Sequence, residues 1–182
     1  MPGRRPVMRL FVAVYPPAEA ARGMLELLNG LELPEHRLVS AEQVHMTLHF
    51  AGDTDKRQLE DVMESVQRAA AGVKAFDLRP RELMCLPERG DPRLVAVETD
   101  APAGLLEIQR RLAGKLARPA RDRQNFLPHL TLCRFRNGAR VWRVARRTVE
   151  MEAFAVREIR LMDSVLRPGG AEHREVGRVG LG

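Results

Sequence analysis

The tetrapeptide His45-Met46-Thr47-Leu48 returns as His129-Leu130-Thr131-Leu132, 84 positions further on. The same offset of 84 carries Arg9-Leu10-Phe11-Val12-Ala13-Val14 onto Arg93-Leu94-Val95-Ala96-Val97-Glu98. Two segments repeating at one offset point to a duplicated unit, and each copy reads apolar run, helix-like stretch, His-x-Thr run. Two such copies can pack about a pseudo-twofold axis, which sets equivalent residues facing each other. Along a strand, positions i and i+2 share a face, so His45 and Thr47 point one way while Met46, Leu48 and Phe50 point the other. His129 and Thr131 oppose Leu130 and Leu132 in the same manner. The expected fold class is therefore α+β: one bilobal, duplicated domain over residues 1–182, with repeat units at approximately 7–86 and 92–179. Two antiparallel sheets flanked by helices would set the His-x-Thr strands along a central cleft.

Taken in order, residues 7–14 are apolar and β-branched and stop at Pro16-Pro17, as a mostly buried strand does. From Ala18 the period changes: Ala21, Met24, Leu25 and Leu28 make a helical stripe that should stop at Gly30. A connection with a short Arg37-Leu38-Val39 segment leads to the first His-x-Thr strand, roughly 44–50. Gly52 to Asp55 reads as a turn supplying the N-cap of a helix that runs to about Ala71, with Leu59, Val62, Met63 and Val66 on one stripe. Strand candidates follow at 73–78, 82–86 and 93–98, with turn chemistry at 87–92. Asp100 and Pro102 open a third helix bearing Leu105, Ile108, Leu112 and Leu116. Residues 117–126, with Arg118, Arg121 and Arg123, read as an exposed basic loop before the second His-x-Thr strand at about 127–135, which Asn137-Gly138 breaks. A short helix is expected over 140–148 with Trp142 as its largest side chain. A closing hairpin is expected from strands 154–166 and 172–179 around Pro168-Gly169-Gly170.

Composition narrows the chemistry. The chain has 182 residues, 45% of them apolar and 30% charged, enough to bury a real core. No apolar run approaches the ~20 residues of a membrane span, and the start lacks a secretory apolar segment, so a cytoplasmic location is expected. Cys85 and Cys133 form no Cys-x-x-Cys pair and read as reduced, packed thiols. The net charge is +6. It favours a polyanionic partner, although nearly all of it is arginine and a GC-rich genome would give the same bias.

His45 and His49 have the i, i+4 spacing of helical metal sites, but along a strand at ~3.3 Å per residue they would lie ~13 Å apart. Cys133 and His129 fail as a nucleophile–base pair for the same reason. No phosphate-cradling Gly-rich loop and no Gly-x-Ser-x-Gly elbow is present. Acid–base work by two imidazoles remains. One neutral ring accepts a proton from an attacking oxygen while the other, charged, protonates the leaving oxygen of a phosphodiester, each worth roughly 10² to 10⁴ in rate. The threonine hydroxyls beside them can bond the non-bridging oxygens. No metal is needed.

These residues resemble the signature of the two-histidine phosphoesterase superfamily, defined by paired His-x-Thr/Ser-x motifs in a duplicated bilobal fold. Within it the chain is similar to the RNA 2′,3′-cyclic phosphodiesterases, once called 2′-5′ RNA ligases. The similarity rests on Arg9-Leu10-Phe11, the run at 45–52, Phe126 to Arg134, and Ser164-Val165-Leu166 before the last hairpin. The resemblance implies hydrolysis of a terminal 2′,3′-cyclic phosphate to a 2′-phosphomonoester with no metal or nucleotide cofactor. It implies His45 as general acid, His129 as general base, Thr47 and Thr131 on the phosphate, and Arg134 and Phe11 in substrate binding. Simple alternation sets Arg134 opposite His129, so its role requires a bulge or the strand's end. The family's second aromatic after Phe11 is Val12 here, and its tyrosine in the last hairpin is His173. The partners implied are RNA 3′ ends, tRNA fragments among them, met by a monomer away from membranes. Alternatives at the same site are 2′-5′ RNA joining, hydrolysis of small cyclic nucleotides, or RNA binding without turnover.

Overall fold

The apolar run at 7–14 forms β1 (Val7–Val14), whose last five residues are all buried. A run covered on both faces suits an interior strand, and β1 lies between two neighbours in its sheet. This computed structural model describes residues 7–116, 126–168 and 170–182. The expected basic loop falls mostly, and the turn residue Gly169 entirely, outside the described residues. After β1 come α1 (Ala18–Glu26), β2 (His36–Leu38), β3 (Met46–Asp55), α2 (Leu59–Ala70), β4 (Phe76–Leu78), β5 (Pro80–Leu86) and β6 (Leu94–Thr99). Then follow α3 (Ala103–Leu116), β7 (His129–Phe135), β8 (Arg147–Thr148), β9 (Phe154–Val156), β10 (Glu158–Arg167) and β11 (Gly170–Gly180).

The fold is α+β with two main antiparallel sheets, one ordered β11-β10-β1-β3 and the other β2-β7-β6-β5-β8, and β4 pairs with β9 in a third, two-stranded sheet. Each main sheet sets one His-x-Thr strand beside the apolar strand of its own repeat and then takes strands from the other repeat. Thus β5 and β2 join β6 and β7, while β10 and β11 join β1 and β3. The sheets therefore interleave the two units instead of following their boundaries in the sequence. One continuous core, including Leu10, Val12, Met46, Val66, Leu105, Ile108, Leu130 and Leu161, runs through both sheets and the helices. Arg111 of α3 donates to the carbonyls of Ala69 (3.2 Å) and Ala71 (2.7 Å), satisfying acceptors that the end of α2 leaves open.

Strict alternation fails at two matched points. Ala13 faces Thr47 and Val12 faces His49, so Leu48 is one residue too many for β1; a second slip lies between Phe50 and Gly52. On β7, Ala96 faces Thr131 and Val95 faces Cys133, which makes Leu132 the extra residue. A bulge turns every following side chain to the other face. Phe50 thus leaves the core side where alternation puts it and is 70% exposed, while His49 is buried at 5%. Arg134, 84 positions after Phe50, changes face for the same reason. The pairing also corrects the repeat by one residue: Ala13 matches Ala96 structurally, 83 positions on.

Two further expectations change. Residues 52–54 are strand paired with β1 and not a turn, and only Asp55 caps, accepting from Arg57 N at 3.0 Å. Residues 140–146 form no helix. Val144 N donates to Cys85 Sγ, Arg143 donates to the carbonyls of Cys85 and Gly90, and Arg146 pairs with Glu82, Glu88 and Glu98, so the segment lies along the β5 side of its sheet. These long-range bonds outweigh a weak local helical preference.

Candidate active site

His45 ends the short connection into β3, and its Nδ1 lies 2.6 Å from the carbonyl of Gln43. His129 opens β7, with Nδ1 2.8 Å from the carbonyl of Leu127. A carbonyl only accepts, so in each case Nδ1 carries the hydrogen and Nε2 is left with its lone pair. The two bonds are repeat-equivalent: the same ring, held in the same tautomer, by the carbonyl two residues back. His45, Thr47, Thr131 and Arg134 line one cavity of about 870 Å³ between the two main sheets. His129 is not among the residues that line it; it stands two residues before Thr131 at the start of β7, and its charge acts on His45.

Burial governs the protonation of the site. It pushes His45 from the ordinary 6.5 down to about 4; the Gln43 carbonyl opposes this, and His173, Arg134 and His129 add to it. His129 is also held below the ordinary imidazole value, first by burial and then by Arg134, against the Leu127 carbonyl and the Glu98 carboxylate across the strand pair. At neutral pH the unliganded site therefore holds two neutral imidazoles. Arg134 is itself lowered by burial, and no carboxylate among the described residues pairs with it.

The sequence brings together more of this site than it announces. Phe11, expected to meet substrate, is 2% exposed and packs beneath the rings of His45 (5.2 Å), His173 (4.9 Å) and Phe50 (6.1 Å). Its faces are covered, so it forms the floor, and the exposed ring is Phe50. Tyr15 stacks on His45 at 5.3 Å, the Arg160 guanidinium carbon lies over its ring 5.0 Å from the centroid, and burial pushes its hydroxyl up to about 12. His173, across the strand pair from Ser164, sets its ring edge-on to His45 at 4.8 Å. Tyr15 carried no sequence signal beyond lying two residues past Ala13; His173 was marked only by standing where the family has tyrosine. His36 bonds the Pro34 carbonyl at 2.7 Å and takes no part.

The model of the 2′-5′ RNA ligase superfamily matches residues 13–166. An RNA 2′,3′-cyclic phosphodiesterase of Aquifex aeolicus is 30% identical over 153 residues, covering 79% of this chain and 81% of that protein. One from Thermotoga maritima is 22% identical over 90% of both chains. Among solved structures, TT0787 of Thermus thermophilus superposes with a TM-score of 0.81 at 25% identity, covering 96% of this chain and 98% of that one. E. coli LigT complexed with 3′-AMP gives a TM-score of 0.81 at 23% identity over 97% of this chain and 99% of that one, a likeness of fold.

Proposed function

Because the chain belongs to the 2′-5′ RNA ligase superfamily, we propose that it hydrolyses the 2′,3′-cyclic phosphate at RNA 3′ ends to a 2′-phosphomonoester. The two repeat units act as two lobes of one domain, each giving one imidazole and one threonine to a shared phosphate. His129 Nε2 takes a proton from water as its oxygen attacks phosphorus. The bond from phosphorus to O3′ breaks, and the proton on His45 Nε2 goes to O3′. Thr47 and Thr131 donate to the non-bridging oxygens, whose charge redistributes in the transition state. The observation that carries this reading is the pair of repeat-equivalent imidazoles, each tied through Nδ1 and each keeping Nε2 for the proton transfer.

His45 is neutral in the unliganded protein, so it needs substrate to become an acid. The negative phosphate supplies this: an opposite charge within ~4–6 Å raises a pKa by about 1–3. Phe50 offers its exposed ring to the terminal base, and Arg134 its guanidinium to phosphate or base. The test is the product from an oligonucleotide ending in 2′,3′-cyclic phosphate, in EDTA. A 2′-monoester is expected; a 3′-monoester, or activity that requires a divalent ion, overturns the reading.

One observation favours exchanging the two roles. Glu98 lies across from His129 and supports its charged form, whereas His45 is the more strongly held neutral. A substrate with sulfur in place of O3′ separates the readings, because a thiolate leaves without protonation. Activity lost in His45→Ala and restored by sulfur makes His45 the acid; rescue of His129→Ala instead exchanges them.

A further inference from the structure

Arg37 and Arg134 are directly opposite each other on β2 and β7. Like charges across a strand pair repel. Neither guanidinium has a carboxylate partner among the described residues, whereas the other cavity arginines, Arg9 and Arg167, are paired with Asp53 and Glu172. Arg37 also reaches across the cavity mouth: a Cβ added at Gly170, where the β10–β11 hairpin turns, would collide with its guanidinium. It therefore bridges from the edge of one sheet to the hairpin tip of the other, one strand further out than Arg134.

Beyond the imidazoles, the cavity face of the first sheet continues outward along the face that carries Phe50, and Leu166 lies there 67% exposed. From Ala13 to Val7, six residues at ~3.3 Å each give β1 a length of ~20 Å, more than one nucleotide occupies. Positive charge with no carboxylate partner among the described residues, beside exposed apolar and aromatic side chains, is the kind of surface that single-stranded nucleic acid binds.

We propose that Arg37 forms a second phosphate subsite, which holds the internucleotide phosphodiester immediately 5′ of the reacting cyclic phosphate, with Leu166 against the penultimate nucleoside. The occupant is the single-stranded end of an RNA, and the site distinguishes such an end from a free cyclic nucleotide. This rests on the function proposed above and narrows its substrate.

The test compares a nucleoside 2′,3′-cyclic phosphate with a dinucleotide ending in the same group, on the unaltered protein, Arg37→Ala and Arg37→Lys. The dinucleotide should have a kcat/KM about ten- to a hundredfold higher, an advantage that falls steeply with salt. In Arg37→Ala the ratio should collapse to near one, and Arg37→Lys should keep part of it. A ratio near one in the unaltered protein, or a ratio unchanged in Arg37→Ala, overturns the subsite while leaving the hydrolysis intact. Titration with a 2′-phosphorylated dinucleotide and mononucleotide gives the converse control. If neither cyclic phosphate is opened, the hydrolysis reading fails; the subsite then stands only on dinucleotide binding at least tenfold tighter, lost in Arg37→Ala, and falls without it.

Discussion

If His45 and His129 are the acid–base pair proposed above, their burial sets the pH dependence of kcat/KM, and its displacement can be worked out. Lowering His45 from 6.5 to about 4 costs its charged form about 3 kcal/mol, so at pH 7 about one free molecule in a thousand carries that proton. His129 is displaced in the same direction. In the proposed mechanism the form that reacts holds one proton between two rings, so kcat/KM should be bell-shaped with both limbs below pH 6.5. Above the upper limb it should fall about tenfold per pH unit. In the complex the phosphate's negative charge favours the imidazolium, so the falling limb of kcat should lie about 1–3 pH units higher. Initial rates on a cyclic-phosphate dinucleotide between about pH 4 and 9 read both limbs. Arg134→Gln removes a cation that lowers His45, His129 and His173 and should move the kcat/KM limb upward, separately from any loss of affinity. A kcat/KM that is flat from about pH 6 to 8, or limbs that coincide for kcat and kcat/KM, would refute the reasoning.

Other outcomes follow from the same structure. His45 holds fewer protons folded than unfolded, so folding stability should drop as pH falls from about 6.5 to 4, by about 3 kcal/mol from this ring alone. Denaturant unfolding of His45→Gln should show a smaller drop than the unaltered protein; equal drops would count against it. Phe50→Ala should raise KM for a nucleoside-bearing cyclic phosphate about 5- to 150-fold with little change in kcat, read from steady-state kinetics. Met46→Ala, truncating a fully buried side chain, should lower unfolding free energy by about 2–5 kcal/mol.

The strands that carry the two His-x-Thr runs and most other element positions are legible, because they depend on local period and on a repeated spacing. Residues 7–14 became a strand with those same limits. What stayed hidden depends on partners far away in the chain. Leu48 and Leu132 bulge because β1 and β6 each supply one residue fewer opposite them, and nothing near position 48 records that count. The same bulge moves Phe50 to the cavity and brings Arg134 there. Residues 140–146 have a locally plausible helix, but their backbone and arginines are engaged by Cys85, Gly90 and three glutamates. The short β2 joins the opposite sheet, so its strand partner is 97 residues away, at Arg37 and Arg134. His173 reaches the site only because β11 pairs with β10 in the register that sets it opposite Ser164.

The central claim is that two imidazoles act on one phosphorus atom in one step, and a double-mutant cycle tests it most directly. His45→Ala and His129→Ala should each lower kcat by at least about a hundredfold. The double variant should be barely worse than either single one, because removing half of a concerted pair already removes the pair's contribution. Losses that multiply, leaving the double variant slower by the product of the two, would contradict the account.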